Sequence, residues 1–263
     1  MTIFASILTA WIAISLLMAF LWYVQLKRNN AGIVDIAWSF GTGLAAIWFC
    51  TQMTGDLGRR IAVGVIAGIW SLRLGFYLAK RVLSEKEDGR YQMLRQKWGD
   101  KVQPLMFGFF QLQAFWAIMF ATPMLAATAN KLPFPNTTDF LGVAIFAVAF
   151  FGEAIADYQL AKFKSRSENH GKVCKEGLWA WSRHPNYFFE WIHWFAYIFF
   201  AWNSPLLWVA VAGNLIMLWF ITKVTGIKMT EARAVQSKGQ EYIDYQQTTS
   251  AFIPRPPKRR ING

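Results

Sequence analysis

The sequence predicts an all-α, polytopic membrane protein of seven transmembrane helices, with the N-terminus outside and the C-terminus cytoplasmic. Three observations carry this. First, 55% of the 263 residues are hydrophobic, 17% are aromatic and only 16% are charged, where roughly 25% charged is usual for a soluble chain. A soluble protein of this size cannot hide so much apolar surface. Second, the apolar residues fall into runs close to the about 20 residues that a spanning helix needs. Third, the cations lie between those runs and favour one side. The same composition excludes a disordered chain, which would be polar and poor in aromatics.

The expected spans are, in order, Ile3–Leu26, Ile33–Met53, Ile61–Leu83, Leu105–Ala129, Phe140–Ala161, Asn186–Trp202 and Leu206–Val224. Lys27 and Arg28 follow the first. Lys86, Arg90, Arg95, Lys97 and Lys101 follow the third. Lys162, Lys164, Arg166, Lys172, Lys175 and Arg183 follow the fifth, and Arg255, Lys258, Arg259 and Arg260 end the chain. With seven helices these four segments share a side, which the positive-inside rule makes cytoplasmic. Arg59 and Arg60 dissent, falling on the outer side. The sixth span is short and would have to start at Pro185, a residue suited to a first helical position because its missing N–H costs nothing there. One membrane domain is expected over 1–263, with a substrate-side half at 1–129, a cofactor-side half at 140–254 and a basic tail at 255–263 (Ile253–Gly263 reading as a solvated arm).

The formal net charge is +12, from 27 Lys and Arg against 15 Asp and Glu. Cations placed between apolar runs point to topology and anionic lipid headgroups rather than to nucleic acid. Cys50 and Cys174 fit no disulfide framework and no metal spacing. No cleavable signal peptide is expected, because the first apolar run is too long and lacks a basic leader.

A charge within an apolar run costs a few kcal/mol or more, which makes such residues the first functional candidates. Asp35, Arg73, Glu153, Asp157, Glu190, His193 and Lys223 are of this kind. Glu153 and Asp157 stand four apart on one helix face, so a cation, a donor or a cofactor should oppose them. Glu190-x-x-His193 is half of a di-iron pattern, yet the chain has only His170, His184 and His193, so no metal is expected. No phosphate-binding glycine loop is present. The most informative stretch runs from Gly177 to Glu190. Arg183 and His184 stand just ahead of a helix N-terminus, where free N–H groups and the helix dipole favour an anion. Asn186 and Tyr187 add donors one turn in, and Trp179 and Trp181 add stacking faces. These residues suit a phosphorylated aromatic cofactor; a headgroup-anchoring arginine with an aromatic belt is the plainer alternative.

The run Ser182-Arg183-His184-Pro185-Asn186-Tyr187, followed by Glu190, resembles the signature of the steroid 5α-reductase superfamily, and within it a bacterial branch of uncharacterised membrane proteins. The likeness extends over Val34-Asp35-Ile36-Ala37-Trp38, Trp70-Ser71-Leu72-Arg73-Leu74 with Arg81, Glu87-Asp88-Gly89-Arg90-Tyr91, Gly226 to Glu231, and Tyr242 and Tyr245 before Thr249 and Ile253-Pro254. It implies seven transmembrane helices and a reductase holding NADPH on its cytosolic side. It implies that Asn186 and Glu190, Asp157 with Tyr158, and Lys164 bind cofactor, with Glu153 where the steroid enzymes tend to have Asn. Arg183 and His184 belong to the branch's Arg-His-Pro version. Phe189 departs from the usual Gly, and the histidines that end the last helix of the steroid enzymes have no counterpart, a place Lys223 could take as phosphate ligand. Such reductases polarise an enone carbonyl with a carboxylate-positioned tyrosine while hydride reaches the β-carbon, and Tyr77 with Asp35 as its orienting partner is the expected pair.

The reading is an NADPH-dependent reductase of a carbon–carbon double bond in a steroid-like enone, an isoprenoid or an unsaturated lipid, in a bacterial inner membrane and with no nucleic-acid partner. The isoprenylcysteine carboxyl methyltransferases, which use S-adenosylmethionine, also carry an Arg-His-Pro-x-Tyr run and a C-terminal acidic helix, matched here at Arg183, His184, Pro185 and Tyr187. A lipid-binding protein that kept the fold without catalysis is the third reading.

Overall fold

A computed structural model describes residues 1–258; these are helical throughout, save for connections and one isolated bridge between Ser182 and Ser250. The helices are α1 (Ile3–Arg28), α2 (Ile33–Gln52), α3 (Leu57–Ser84), α4 (Gly89–Trp98), α5 (Val102–Thr128), α6 (Thr137–Lys164), α7 (Pro185–Phe200), α8 (Leu207–Trp219), α9 (Ile227–Lys238) and α10 (Gln240–Thr248). Six helical stretches are long and apolar enough to cross a membrane: Ile3–Arg28, Ile33–Gln52, Leu57–Ser84, Gly89–Thr128, Thr137–Lys164 and Leu207–Lys238. The chain is an integral, multi-pass membrane protein. α7 starts at Pro185 and is apolar, but has 16 residues, fewer than the about 20 that span a bilayer untilted.

The helices group into two compact units. The first takes Met1–Asn136 with Phe200–Ala210; the second takes Thr137–Phe199 and the chain from Val211 onward. The stretch 200–210 joins the first unit. Asn130 is the reason: its buried amide donates to the carbonyls of Phe200 and Trp202, each at 2.9 Å.

In the first unit α1, α2 and α5 share a core of Met18, Val34, Phe49, Met106 and Phe110. Lipid offers no hydrophobic drive between helices, so small residues and polar pairs hold them together. Gly43 lets α2 approach Ser71 of α3, where an added Cβ would meet the serine Oγ at 2.3 Å. The Ser39 and Ser71 hydroxyls each donate to the other's carbonyl, at 3.2 and 3.0 Å. Ser15 donates to Gln111, and Gln25 to Gln103, between α1 and α5. Phe4, Leu16 and Phe20 stay exposed on α1, as a lipid-facing surface allows.

α3 begins earlier than the apolar run, because Asp56 caps it and accepts from the backbone of Gly58 and Arg59. That places both dissenting arginines inside the helix. Arg59 is fully buried and donates to the carbonyls of Asn130 (3.1 Å) and Leu132 (2.7 Å). Arg60 donates to the Cys50 carbonyl at 2.6 Å, at the end of α2 where the helix dipole favours a cation. Both are committed to backbone oxygen, so they are not free loop charges of the kind that sets topology.

In the second unit α6 and α7 meet at Gly152 and Phe189. A Cβ on Gly152 would stand 2.4 Å from the Phe189 ring, so the phenylalanine fills the gap the glycine leaves. α8 runs into a π-helical turn, Phe220–Val224, and on into α9. Ile253, Arg255 and Lys258 of the expected solvated arm are exposed, and backbone bonds tie the stretch down. The Arg255 and Lys258 amides donate to Trp181 and Thr248 carbonyls at 2.9 and 2.8 Å, and Phe252 packs on Phe188 and Trp191. These two backbone bonds, with half-buried Phe252 just ahead of them, hold the exposed stretch 253–258 in place. Arg259 and Arg260 of the expected basic tail lie outside the described residues.

Candidate functional site

In each unit a motif meets a distant part of the same unit through a network of polar side chains. The network of the first unit centres on Asp35, in the first turn of α2. Asp88 caps α4 through the amide of Arg90, and this turn aims the next two side chains at α2. The Tyr91 hydroxyl donates to Asp35 Oδ1 at 2.7 Å, and Arg90 donates to Oδ2 at 2.9 Å. Arg81 lies 3.7 Å from the same oxygen. Tyr91 is 2% exposed and packs edge-on against Phe109. Glu87 extends the network: it accepts from the Ala31 amide at 2.7 Å and from Arg95, which also donates to Gln25. The run Glu87-Asp88-Gly89-Arg90-Tyr91 thus locks the start of α2 to α4. The tyrosine seated on Asp35 is Tyr91. Tyr77, the expected acid, stands half-exposed on α3.

The network of the second unit centres on Arg183. Its Nε donates to Glu231 Oε1 of α9 at 2.6 Å, and its Nη1 to the carbonyls of Gln246 (3.0 Å) and Thr249. Only 9% of Arg183 is exposed. His184 Nε2 lies 3.2 Å from the same Glu231 oxygen, and Gln246 donates to the other at 2.8 Å. The anion that the α7 N-terminus favours is therefore supplied from within the chain. Burial lowers the His184 pKa below the ordinary imidazole value, against the opposing pull of Glu231. Tyr187 stacks on the His184 ring, with centroids 5.3 Å apart and planes 5° off parallel, and its hydroxyl is 3.3 Å from that of Thr230. The Tyr245 hydroxyl donates to the carbonyls of Trp179 and Ser182; burial raises its pKa, which keeps it a donor.

The other expected residues surround this network. Asn186 donates to Asp157 at 3.2 Å, which gives the Glu153–Asp157 face of α6 the donor it called for. Glu153 is buried. Glu190 accepts from Trp194 at 3.2 Å, and His193 lies 2.9 Å from the Tyr197 hydroxyl, so both halves of the metal-like pair meet aromatic partners on their own helix. Lys164 ends α6 and Lys223 sits in the π turn, both exposed. Glu231 and Gln246, which complete the network, carry no signal in the sequence around Arg183: they lie 48 and 63 residues away from it. Tyr91 was signalled only by the acidic-basic run that contains it.

No solved structure matches the chain. An uncharacterized protein of Schizosaccharomyces pombe is 25% identical over 272 residues, covering 89% of this chain and 76% of the yeast protein. The profile of a family described as a protein of unknown function, DUF1295, matches residues 21–249, and most of both polar networks falls inside that reach. The chain belongs to the DUF1295 family of proteins of unknown function.

Proposed function

We propose that this protein is a membrane reductase that uses NADPH to reduce a carbon–carbon double bond in a lipid-soluble substrate, as its resemblance to the steroid 5α-reductase superfamily implies. The observation that carries the reading is the Tyr91 phenol held 2.7 Å from the Asp35 carboxylate in a buried setting. An enone reduction needs a positioned acid at the carbonyl oxygen and a site free of water. In this reading Tyr91 takes the role expected of Tyr77. Asp35 and Arg90 hold the phenol in place; its single proton is directed at Asp35 Oδ1 here and is given up only after it turns to the substrate oxygen.

The residues of the second unit fit a dinucleotide in part. Arg183 is engaged by Glu231 and two carbonyls, so it orders the site rather than meeting a phosphate. The remaining groups suit such a cofactor: the Asn186 amide, the exposed Lys164 and Lys223, and the Tyr187 ring stacked on His184. NADPH would supply the hydride; the protein supplies binding, orientation and exclusion of water. The reading includes α7 as a seventh, short span, the basic segments on the cytoplasmic side, and a bacterial inner membrane.

The pairing of Arg183 and His184 with Glu231 favours a second reading. It joins the Arg-His-Pro-x-Tyr run to an acidic position on a C-terminal helix, as in the S-adenosylmethionine-dependent membrane methyltransferases the sequence also resembles. One titration separates the two. Detergent-purified protein is titrated with NADPH, NADH and S-adenosylmethionine, following the emission of its 14 tryptophans. NADPH binding that Asn186→Ala weakens, together with NADPH oxidation in the presence of membrane lipid extract that Tyr91→Phe abolishes, is the expected result. Binding of S-adenosylmethionine alone overturns the reductase in favour of the methyltransferase.

A further inference from the structure

A groove outside both polar networks lies against the basic end of α6. Its volume is about 580 Å³, and Ile155, Tyr158, Gln159, Lys162, Arg166 and Glu176 line it with Gly177. At 3.6 residues per turn, the α6 members of this set share one face. Helical spacing puts Glu153, Asp157 and Lys164 on the opposite side of α6; of the residues that the resemblance assigns to the cofactor, only Tyr158 lines the groove. Gly177 closes it: the residue has φ +57°, and a Cβ there would stand 2.5 Å from the Gln159 amide. The Leu178 amide donates to that same side chain at 2.9 Å, which pins the loop over the helix.

The chemistry along the groove is graded. Val148, Phe151, Ile155 and Tyr158 form a continuous exposed apolar stripe up α6, 62%, 63%, 49% and 65% accessible. The stripe ends at Lys162 and Arg166. Arg166 Nη2 meets Glu176 at 2.6 Å, while its buried Nε has no hydrogen-bond partner. Both members of that ion pair are more than a third exposed, and such a pair is weak and readily exchanged for another anion. An apolar track leading to two exposed cations complements a phosphate carried on an acyl chain.

We propose that this groove binds an anionic phospholipid, with an acyl chain along Val148–Tyr158 and the phosphate on Lys162 and Arg166, where it displaces Glu176. The tests are native mass spectrometry of the detergent-solubilised full chain with short-chain phosphatidylglycerol or phosphatidylcholine, and competition by glycerol 3-phosphate. Phosphatidylglycerol should bind several-fold more tightly than phosphatidylcholine. Lys162→Ala with Arg166→Ala should remove that preference, and Glu176→Gln, which removes the competing anion, should strengthen it several-fold. The Glu176→Gln arm keeps the test informative if the double variant folds poorly. Equal binding of the two lipids, or a preference that neither change moves, overturns the proposal. Glycerol 3-phosphate displacing the lipid at equal concentration also overturns it, because the site then recognises a soluble phosphate.

Discussion

The two polar networks are built from the same residue types but have opposite centres. In the first unit a carboxylate is the hub: Asp35 receives Tyr91 and Arg90, with Arg81 close by. In the second a cation is the hub: Arg183 serves Glu231 and the carbonyls of Gln246 and Thr249. The difference matters because backbone carbonyls are fixed acceptors with no chemistry to offer. A buried arginine that satisfies them is a staple for the chain around 246–250. A half-buried carboxylate that receives a phenol holds a titratable side chain in a fixed position. The first network therefore positions a side-chain hydroxyl, and the second fixes a stretch of backbone.

The comparison breaks most visibly at Arg183. Its removal takes the cation from Glu231, which keeps only His184 and Gln246, and the donor from the carbonyls of Gln246 and Thr249, so Arg183→Ala should cost about 3–5 kcal/mol, read as a large fall in the thermal midpoint in detergent. Arg183→Lys should recover only part of this, because an ammonium cannot reproduce the fork geometry. If Arg183→Ala were fully stable and lost only ligand binding, the staple assignment would be wrong.

Packing within the second unit gives the next effect. Gly152→Ala forces a methyl group into the Phe189 ring and should cost about 1–3 kcal/mol. Combining it with Phe189→Leu, which withdraws the ring, should restore most of the loss in the same unfolding assay. A Gly152→Ala variant of unchanged stability would show that the two helices part freely.

In the first unit Tyr91→Phe removes one hydrogen bond and should cost about 1–2 kcal/mol while abolishing turnover. Tyr77→Phe should change neither by much. The reverse pattern would return the acid to Tyr77.

The smallest effect is one of pH. Burial holds the His184 pKa below its unfolded value of about 6.5. The unfolded chain then binds the proton first, so the stability due to this residue is complete above about pH 6.5 and declines as pH falls through the lowered native value. The thermal midpoint should drop between pH 7.5 and 5.5, and His184→Gln should flatten that slope. A slope that the substitution leaves unaltered would assign it to other groups.

Periodicity and composition made the helices legible, because an apolar run in a bilayer has few conformations that satisfy its own backbone. Pro185 marked the start of α7 in the same way, through the one position where its missing N–H costs nothing. The membrane class, the helix order and the cost of placing charge at Asp35 and along the Arg183–Glu190 stretch were all local properties of the sequence. The partners were not. Arg59 and Arg60 read as stray charges until Asp56 capped α3 and turned them onto carbonyls. Phe189 read only as a departure from the usual glycine until Gly152 stood opposite it. Glu231 answers Arg183 from a helix 48 residues on, and Tyr91, not the helically spaced Tyr77, meets Asp35. Hydrogen-bond partners distant in sequence are chosen by packing, and no periodic pattern encodes which turn of one helix will face which turn of another. The sequence by itself determined what must be buried in lipid and where charge was expensive; the tertiary structure decided which group relieves each charge.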